Sequence, residues 1–247
     1  MRKSILGLTA LAIAALATPA MAQDEADTSG IKITGSAGIV SDYRFRGFSQ
    51  TRENAAVQGG FTLTHESGFY VGTWGSNVDF PDLDGEGNGV TAELDFFGGF
   101  SKEVTPGLTV DAGLLYYYYP KDTVGDVDTD FFEPYINLIA AVGPGSLKAG
   151  VNYAWDQNAL GDSSAIYFHL EPSVAIPNTP IGVNAHLGYA KSDAFPGGVD
   201  GKVWDWSIGG TLTYKNLTFG VSYVDTDEPG NPFGSDSAAV FSLGAAF

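Results

Sequence analysis

The chain has 247 residues, with 29 Asp and Glu against 12 Lys and Arg, for a net charge of −17. This acidity excludes non-specific nucleic-acid binding, and the absence of cysteine excludes a lipid-anchored cysteine, a disulfide scaffold and thiolate metal sites. Aromatic residues make up 13% of the chain and glycines number 33, which is typical of close-packed strands with aromatic belts.

The N-terminus has the features of a secretory signal peptide. Arg2 and Lys3 precede an apolar run at 5–17, and Ala20–Ala22 supplies a small-residue cleavage site. An uncleaved anchor is the alternative, but the run is shorter than the ~20 residues that a spanning helix needs. The predicted division of the chain is a signal peptide at 1–22, a short polar tail at 23–30 and one barrel domain at 31–247. Cleavage leaves ten basic against 29 acidic residues, a net charge of −19.

From Ile31 onward, apolar and polar residues alternate with a period of two, as in half-buried β-strands. In the first segment the alternation continues without a break, so strand one is predicted to run through the motif at 41–47. Side chains on a strand point to alternate faces. The polar face would then carry Asp42, Arg44 and Arg46, and the apolar face would carry Tyr43 and Phe45.

About twelve such segments follow one another, each long enough for a tilted strand to cross a bilayer. Two of them are irregular, because Trp74 breaks the alternation at 69–79 and the segment at 131–142 is apolar on both faces. Short connections such as 215–216 alternate with long ones such as 120–130 and 156–164, and the first connection, at 47–53, is intermediate. A soluble barrel or sandwich needs no such alternation. We therefore predict an all-β fold, a transmembrane antiparallel up-and-down barrel with short periplasmic turns and long acidic external loops.

Aromatic residues fall at the predicted strand ends, where Tyr and Trp favour the membrane–water interface. In the run Tyr116–Tyr119, alternation predicts two rings towards lipid and two towards the barrel mouth. The predicted aromatic girdle comprises Tyr43, Phe45, Tyr116, Tyr118, Tyr153, Trp155, Tyr189, Trp204, Trp206, Tyr214 and Phe247.

The chain after the signal peptide resembles, over nearly its whole length, the TorF family of porin-like proteins, a proteobacterial family of largely unassigned function, and the specific matches lie in its first third. The resemblance rests on the motif at 41–47 with Ser49–Thr51, on Gly72–Val78, and on Glu93 with Asp95. It implies an outer-membrane barrel of a Gram-negative bacterium that conducts solutes, and it names no substrate. The terminal Phe247 also looks like the signal that the outer-membrane assembly machinery reads.

Charged residues of the polar faces define the predicted channel. A narrow constriction is expected in the outer part of the lumen, formed by Arg44, Arg46, Glu93, Asp95 and Asp205. Other predicted lumen-facing residues are Asp42, Asp111, Lys148, His169, Glu171 and His186. We predict passive diffusion of small solutes and ions through this lumen, and the excess of acids favours cations. The alternative is a closed barrel plugged by salt bridges, because twelve strands lie between packed and open barrels.

Acidic residues also crowd the long loops, which predicts a solvated rim or divalent-cation bridging to lipopolysaccharide. Asp126, Asp128 and Asp130 imitate the start of a calcium loop, but Phe131 and Asn137 stand where that loop needs Gly and Glu. No cofactor and no dedicated metal site are predicted, and the oligomeric state is left open.

An enzyme is the rival class of protein. A hairpin across 177–180 would place Glu171 opposite His186, with His169 one pair away, as a base and its orienting group. The cluster lacks an obvious nucleophile, so a hydrogen bond within the lumen is the simpler interpretation and no enzyme is predicted. A passive structural or adhesive barrel is the third class.

Overall fold

The computed structural model describes residues 30–80, 89–120, 123–124, 127–193, 200–230 and 234–247. Twelve antiparallel strands form one closed barrel in which each strand pairs with its neighbours in the chain, and the first strand pairs with the last. The strands are β1 Ile31–Val40, β2 Ala56–His65, β3 Phe69–Asn77, β4 Ala92–Thr105, β5 Leu108–Tyr118, β6 Phe131–Val142, β7 Gly145–Gln157, β8 Ser163–Ala175, β9 Ile181–Ser192, β10 Lys202–Tyr214, β11 Leu217–Thr226 and β12 Ala238–Ala246. The predicted all-β barrel is confirmed.

Some predictions concern residues outside the described part of the chain. These are the signal peptide at 1–22, all but the last residue of the tail at 23–30, and the loop acids Asp82, Asp84, Glu86, Asp122 and Asp126. Among the described residues, no helix is long and apolar enough to cross a membrane.

The alternation in the sequence sorts side chains between the two faces of the barrel wall. Outward-facing Ile33 and Val57 are both 67% exposed, whereas inward-facing Gln58 is 6% exposed. Phe219 on β11 is 50% exposed, while its neighbour Thr218 is buried. Because the apolar residues face outward and the polar residues face the enclosed interior, the exterior of this barrel matches hydrocarbon rather than water.

Five of the six connections at one end of the barrel are longer than every turn at the other end, as predicted. Short turns lie at one end of the barrel, at 66–68, 106–107, 143–144, 176–180 and 215–216, and both ends of the barrel domain lie there too. The connections at the other end are at 41–55, 78–91, 119–130, 158–162, 193–201 and 227–237; five of them have nine or more residues, and the one at 158–162 has five, as many as the turn at 176–180. The connection at 158–162 is shorter than the predicted 156–164, because β7 and β8 continue up to a single 3-10 turn at Asn158–Leu160.

The opening motif does not continue strand one, so that prediction is wrong. β1 ends at Val40, and a miniature hairpin pairs Arg44–Phe45 with Phe48–Ser49. The chain reverses at Arg46 and Gly47, whose φ angles are +50° and +88°. This reversal turns the connection inward, which removes Tyr43 and Phe45 from the predicted outer girdle.

The two segments that look irregular in the sequence, at 69–79 and 131–142, each carry an aromatic residue that faces the lumen. Trp74 keeps the alternation of β3, since it faces the lumen with 6% of its surface exposed and packs against Tyr43. On β6, Phe131 also faces inward and stacks on Tyr117, with 4.3 Å between ring centroids. Aromatic residues point into the barrel where an aromatic-rich connection fills it.

Candidate functional site in the loop-filled lumen

The connection at 41–55, called the lumen loop from here on, folds into the barrel from its long-loop end. Phe48 is 1% exposed and packs in a cluster with Tyr167 on β8, Ala190 on β9 and Val203 on β10. At Gly47 a Cβ atom would lie only 3.1 Å from Cβ of Asp205, so the backbone of the loop passes close to β10 at a position that favours glycine.

The start of the lumen loop is bound to β3, β4 and β5. The Tyr43 hydroxyl donates to Oε1 of Glu93 at 3.0 Å, and its ring meets Trp74 edge to face. Phe45 contacts the ring of Tyr117 in the same way, with 5.8 Å between centroids. Burial, followed by the nearby carboxylate of Glu93, raises the pKa of Tyr43 well above its ordinary value, so the phenol remains a hydrogen-bond donor.

Arg46 connects the lumen loop to the far side of the barrel. Its Nη2 lies 2.7 Å from Oε1 of Glu133 on β6, and its guanidinium stacks 4.1 Å from the ring centroid of Tyr167 on β8. Burial lowers the pKa of Arg46 while the carboxylate of Glu133 raises it, and the net direction is upward. The sequence pattern missed Glu133, because it lies in the segment that is apolar on both faces.

Arg44 organises the lumen loop itself. Its Nε lies 2.5 Å from Oδ2 of Asp42, and its Nη1 donates to the carbonyl oxygens of Gly47 and Gly234. Oδ1 of Asp42 accepts the hydroxyl of Ser49 at 2.6 Å. Arg44 therefore holds the two arms of the loop together and fixes the loop to the connection at 227–237.

The predicted constriction is therefore assembled differently from the sequence-based expectation. We expected Arg44 and Arg46 to face Glu93, Asp95 and Asp205 across open space, but Arg44 pairs with Asp42 and Arg46 pairs with Glu133. All five predicted residues do lie at the level of the lumen loop. The contact with Asp205 comes from the backbone of Gly47 rather than from an arginine.

One wall of the lumen, on β3, β4 and β5, combines carboxylates with aromatic rings; we call it the aromatic wall. Glu93 and Asp95 are each 2% exposed. Glu93 also accepts from Tyr119 at 3.4 Å, and Asp95 lies in register between Trp74 and Tyr117. Oδ1 of Asp95 has no hydrogen-bond partner among the described residues.

The opposite wall, on β7 to β10, is a chain of contacts between acidic and basic side chains; we call it the paired wall. Glu171 lies 2.7 Å from Nζ of Lys148 and 2.8 Å from Nδ1 of His169. Nε2 of His186 lies 2.9 Å from Oδ1 of Asp205.

The rings of the paired wall are stacked. Those of Tyr167, His169 and His186 lie within 20° of parallel, and the Tyr167 hydroxyl bonds to Nε2 of His186 at 2.7 Å. Gly188 makes this possible, since a Cβ there would collide with the Tyr167 hydroxyl and with Asp205. The structure thus brings together the Glu171, His169 and His186 cluster, with 3.9 Å between Glu171 and Nδ1 of His186.

Asp111, nearer the short-turn end of β5, forms a separate buried site with partners on β3 and β6. It accepts the Tyr70 hydroxyl at 2.6 Å and the Asn137 amide at 3.2 Å, and Tyr70 also bonds to the hydroxyl of Tyr135. Both oxygens of Asp111 are therefore satisfied. Within the described residues, no group of three or more Asp, Glu or His side chains is arranged to hold a metal ion.

The remaining residues of the predicted girdle lie on the outer face. Near the long connections, Tyr153, Trp155 and Trp204 are 45%, 42% and 44% exposed. Tyr214 and Phe247, near the short turns, are 67% and 66% exposed. The outward set also contains Tyr116, Tyr118, Tyr189 and Trp206, which follow the outward parity of β5, β9 and β10.

A closed twelve-stranded barrel with an apolar exterior and a charged, loop-filled interior defines the porin-like class of β-barrels. The chain belongs to the Gcw_chp family, described as bacterial proteins of unknown function, whose model matches residues 24–247. No curated protein matches the sequence.

Solved structures with the same fold are porins. The NanC porin is 12% identical with a TM-score of 0.58, and the match covers 87% of this chain and 99% of NanC. The KdgM porin, solved in complex with disordered oligogalacturonate, is 7% identical with a TM-score of 0.55, covering 87% and 97% of the two chains. These similarities establish the fold.

Proposed function

We propose that the protein is an outer-membrane channel for passive diffusion of small solutes and ions, with a lumen narrowed by the loop at 41–55 and a preference for cations. The observation that carries this proposal is the two-faced barrel wall, apolar outside and charged inside. A closed barrel satisfies the backbone hydrogen bonds of every strand internally, and its apolar exterior needs hydrocarbon around it. The resemblance to the porin-like TorF family supports the same location and role.

The preference for cations follows from the balance of charge in the lumen. Six carboxylates of the described lumen are buried, against three basic side chains. The acids are Asp42, Glu93, Asp95, Asp111, Glu133 and Asp205, and the bases are Arg44, Arg46 and Lys148. An ion entering this low-dielectric interior meets a negative field, which attracts cations and repels anions.

The same pairing argues against an acidic oligosaccharide such as the one bound to the KdgM porin. Recognition of a polyanion needs basic groups that are free to bind it. Here Arg44 is paired with Asp42, Arg46 with Glu133, and Lys148 with Glu171.

We propose that the Glu171, His169 and His186 cluster is structural and that the protein is not an enzyme. The hydroxyl that His186 contacts belongs to Tyr167, which also donates to Asp205 at 3.0 Å. With a single hydroxyl proton, Tyr167 donates to Asp205 while His186 shares the same oxygen, so this phenol is part of the hydrogen-bond network of the lumen wall. Ester or lipid hydrolysis that disappears in His186→Ala would contradict this interpretation.

We further propose two partners outside the lumen. The acidic loops would bind lipopolysaccharide through divalent cations, and the exposed Phe247 would be read by the assembly machinery during insertion.

Reversal potentials in a KCl gradient across a planar bilayer test the channel. The purified barrel is first checked for heat-modifiable migration on a gel, which reports folding. We expect measurable conductance and a reversal potential with the sign of a cation-preferring pore. Anion preference would overturn the selectivity, and a folded barrel without conductance at any voltage would favour the structural or adhesive class.

A further inference from the structure

Most buried carboxylates of the lumen have a basic or amide partner, but the aromatic wall is different. Glu133 binds Arg46, and Asp111 binds Asn137. Among the described residues, only the phenol hydroxyls of Tyr43 and Tyr119 donate to Glu93. Asp95 has no hydrogen bond to Oδ1 from any described residue, although it is 2% exposed.

Leaving a carboxylate oxygen buried and without a donor is energetically costly, so such an oxygen calls for a proton or a cation. The oxygen is shielded from solvent. Glu93 and Asp95 lie two residues apart on β4 and therefore share the lumen face. Trp74 and Tyr117 flank Asp95 in register on the neighbouring strands.

The carboxylates and aromatic rings of this wall favour one class of cation over others. Hard metal ions prefer several oxygen ligands, whereas the register neighbours of Asp95 are aromatic rings. Aromatic faces attract organic cations, and an ammonium group with N–H donors can also bond to a carboxylate. A quaternary ammonium ion has the charge but no donor for the unpaired oxygen.

We propose that the aromatic wall is a binding site for a small primary ammonium ion, held by Asp95 and Glu93 between Trp74 and Tyr117. Tyr43 of the lumen loop closes the site, since it bonds to Glu93 and packs on Trp74. The proposal rests on the proposed function because the ligand enters through the lumen. It makes the site a selective step for amine-bearing solutes within a cation-preferring channel.

Trp74 provides a readout that needs no current through the pore. It is the tryptophan that faces the lumen, whereas Trp155, Trp204 and Trp206 lie on the outer face. Methylammonium chloride is titrated into the folded barrel in detergent at constant ionic strength, and tryptophan fluorescence is followed. We expect a saturable change that Trp74→Phe abolishes, with tetramethylammonium chloride or KCl giving at least about tenfold weaker binding.

Asp95→Asn tests the residue itself, with Asp111→Asn as the matched control. Asp111 is equally buried but has both oxygens satisfied. We expect Asp95→Asn to weaken methylammonium binding at least about tenfold and Asp111→Asn to leave it unchanged, with both variants checked for folding by heat-modifiable migration.

Three results would overturn the site: no saturable response to methylammonium, equal binding of tetramethylammonium, or unchanged binding in Asp95→Asn. The first is expected if Asp95 is simply neutralised by a proton. Because binding is measured at equilibrium in detergent, a barrel that binds methylammonium but carries no current would refute the channel and leave the site intact. A conducting barrel without binding would refute only the site.

Discussion

The two walls of the lumen bury charge in opposite ways. On the paired wall, Glu171 lies within 2.8 Å of both Lys148 and His169, so its negative charge is balanced by the adjacent Lys148. On the aromatic wall, Glu93 and Asp95 are more deeply buried and have phenols and rings around them instead of bases. The acidic excess of the lumen is therefore concentrated on one side.

This difference teaches where an ion would travel. We expect a neutralised wall to give little attraction, and ionised carboxylates without a basic partner to give the strongest field in the lumen. Arg46 stands at the junction of the two walls, bound to Glu133 and stacked on Tyr167. We expect the positive charge of its guanidinium to weaken the negative field of the aromatic wall, so Arg46 controls how strongly the two walls differ in field.

Removing Arg46 should give the largest effect. Arg46→Ala leaves Glu133 buried without a basic partner, so we expect the free energy of unfolding to fall by about 3–5 kcal/mol. The lumen loop also loses its contact with Tyr167, so we expect single-channel conductance and cation preference to rise together. Conductance is measured in planar bilayers, and unfolding is measured by denaturant titration in micelles.

Arg52→Ala is the matched control for that experiment. Arg52 belongs to the same loop, but its side chain is 46% exposed and lies 3.6 Å from the exposed Asp79. An exposed pair contributes at most about 1 kcal/mol, so neither conductance nor stability should change appreciably. Equal effects of the two substitutions would show that Arg46 acts only through the bulk charge of the loop.

The barrel wall could be predicted from the sequence because its information is local. A strand shows its two faces within a few residues, so Ile33 and Val57 indicate the outside without knowledge of any partner strand. Trp74 carried a further signal. Trp74 lies on the lumen-facing side of β3, where polar residues are expected, which indicates an apolar contact inside the barrel. That contact is made by Tyr43 of the lumen loop.

The lumen loop could not be predicted because its contacts are remote in sequence. Arg46 pairs with a glutamate 87 residues away, and Arg44 donates to the carbonyl of a glycine 190 residues away. The alternating pattern of 41–46 imitates a strand, but the positive φ angles of Arg46 and Gly47 reverse the chain. Only the glycine that follows the arginine hints at this turn.

Removing a base from the paired wall should leave a carboxylate there without its partner and so make the wall more negative, as on the aromatic wall. Lys148→Met removes the base nearest Glu171, which is 27% exposed and keeps His169, so we expect a loss of about 1–3 kcal/mol in stability. Reversal potentials should shift towards stronger cation preference. Lys202→Met is the control, because Lys202 pairs only loosely with the exposed Asp200 at 3.7 Å. An unchanged reversal potential in Lys148→Met would place the ion path away from this wall.

The smallest effect is expected where the lumen loop closes over the aromatic wall. Tyr43→Phe removes the hydroxyl that donates to Glu93 but keeps the ring contact with Trp74, so about 1 kcal/mol should be lost. Amide hydrogen exchange in the lumen loop should become faster, because the loop then opens more often. Tyr153→Phe removes a hydroxyl from the outer face, where Tyr153 is 45% exposed, and should leave this exchange unchanged. If the amides of the lumen loop exchange no faster in Tyr43→Phe than in the control, packing of Phe48 and the bonds of Arg46 hold the loop without help from Glu93. The carboxylates of the aromatic wall would then act independently of the loop.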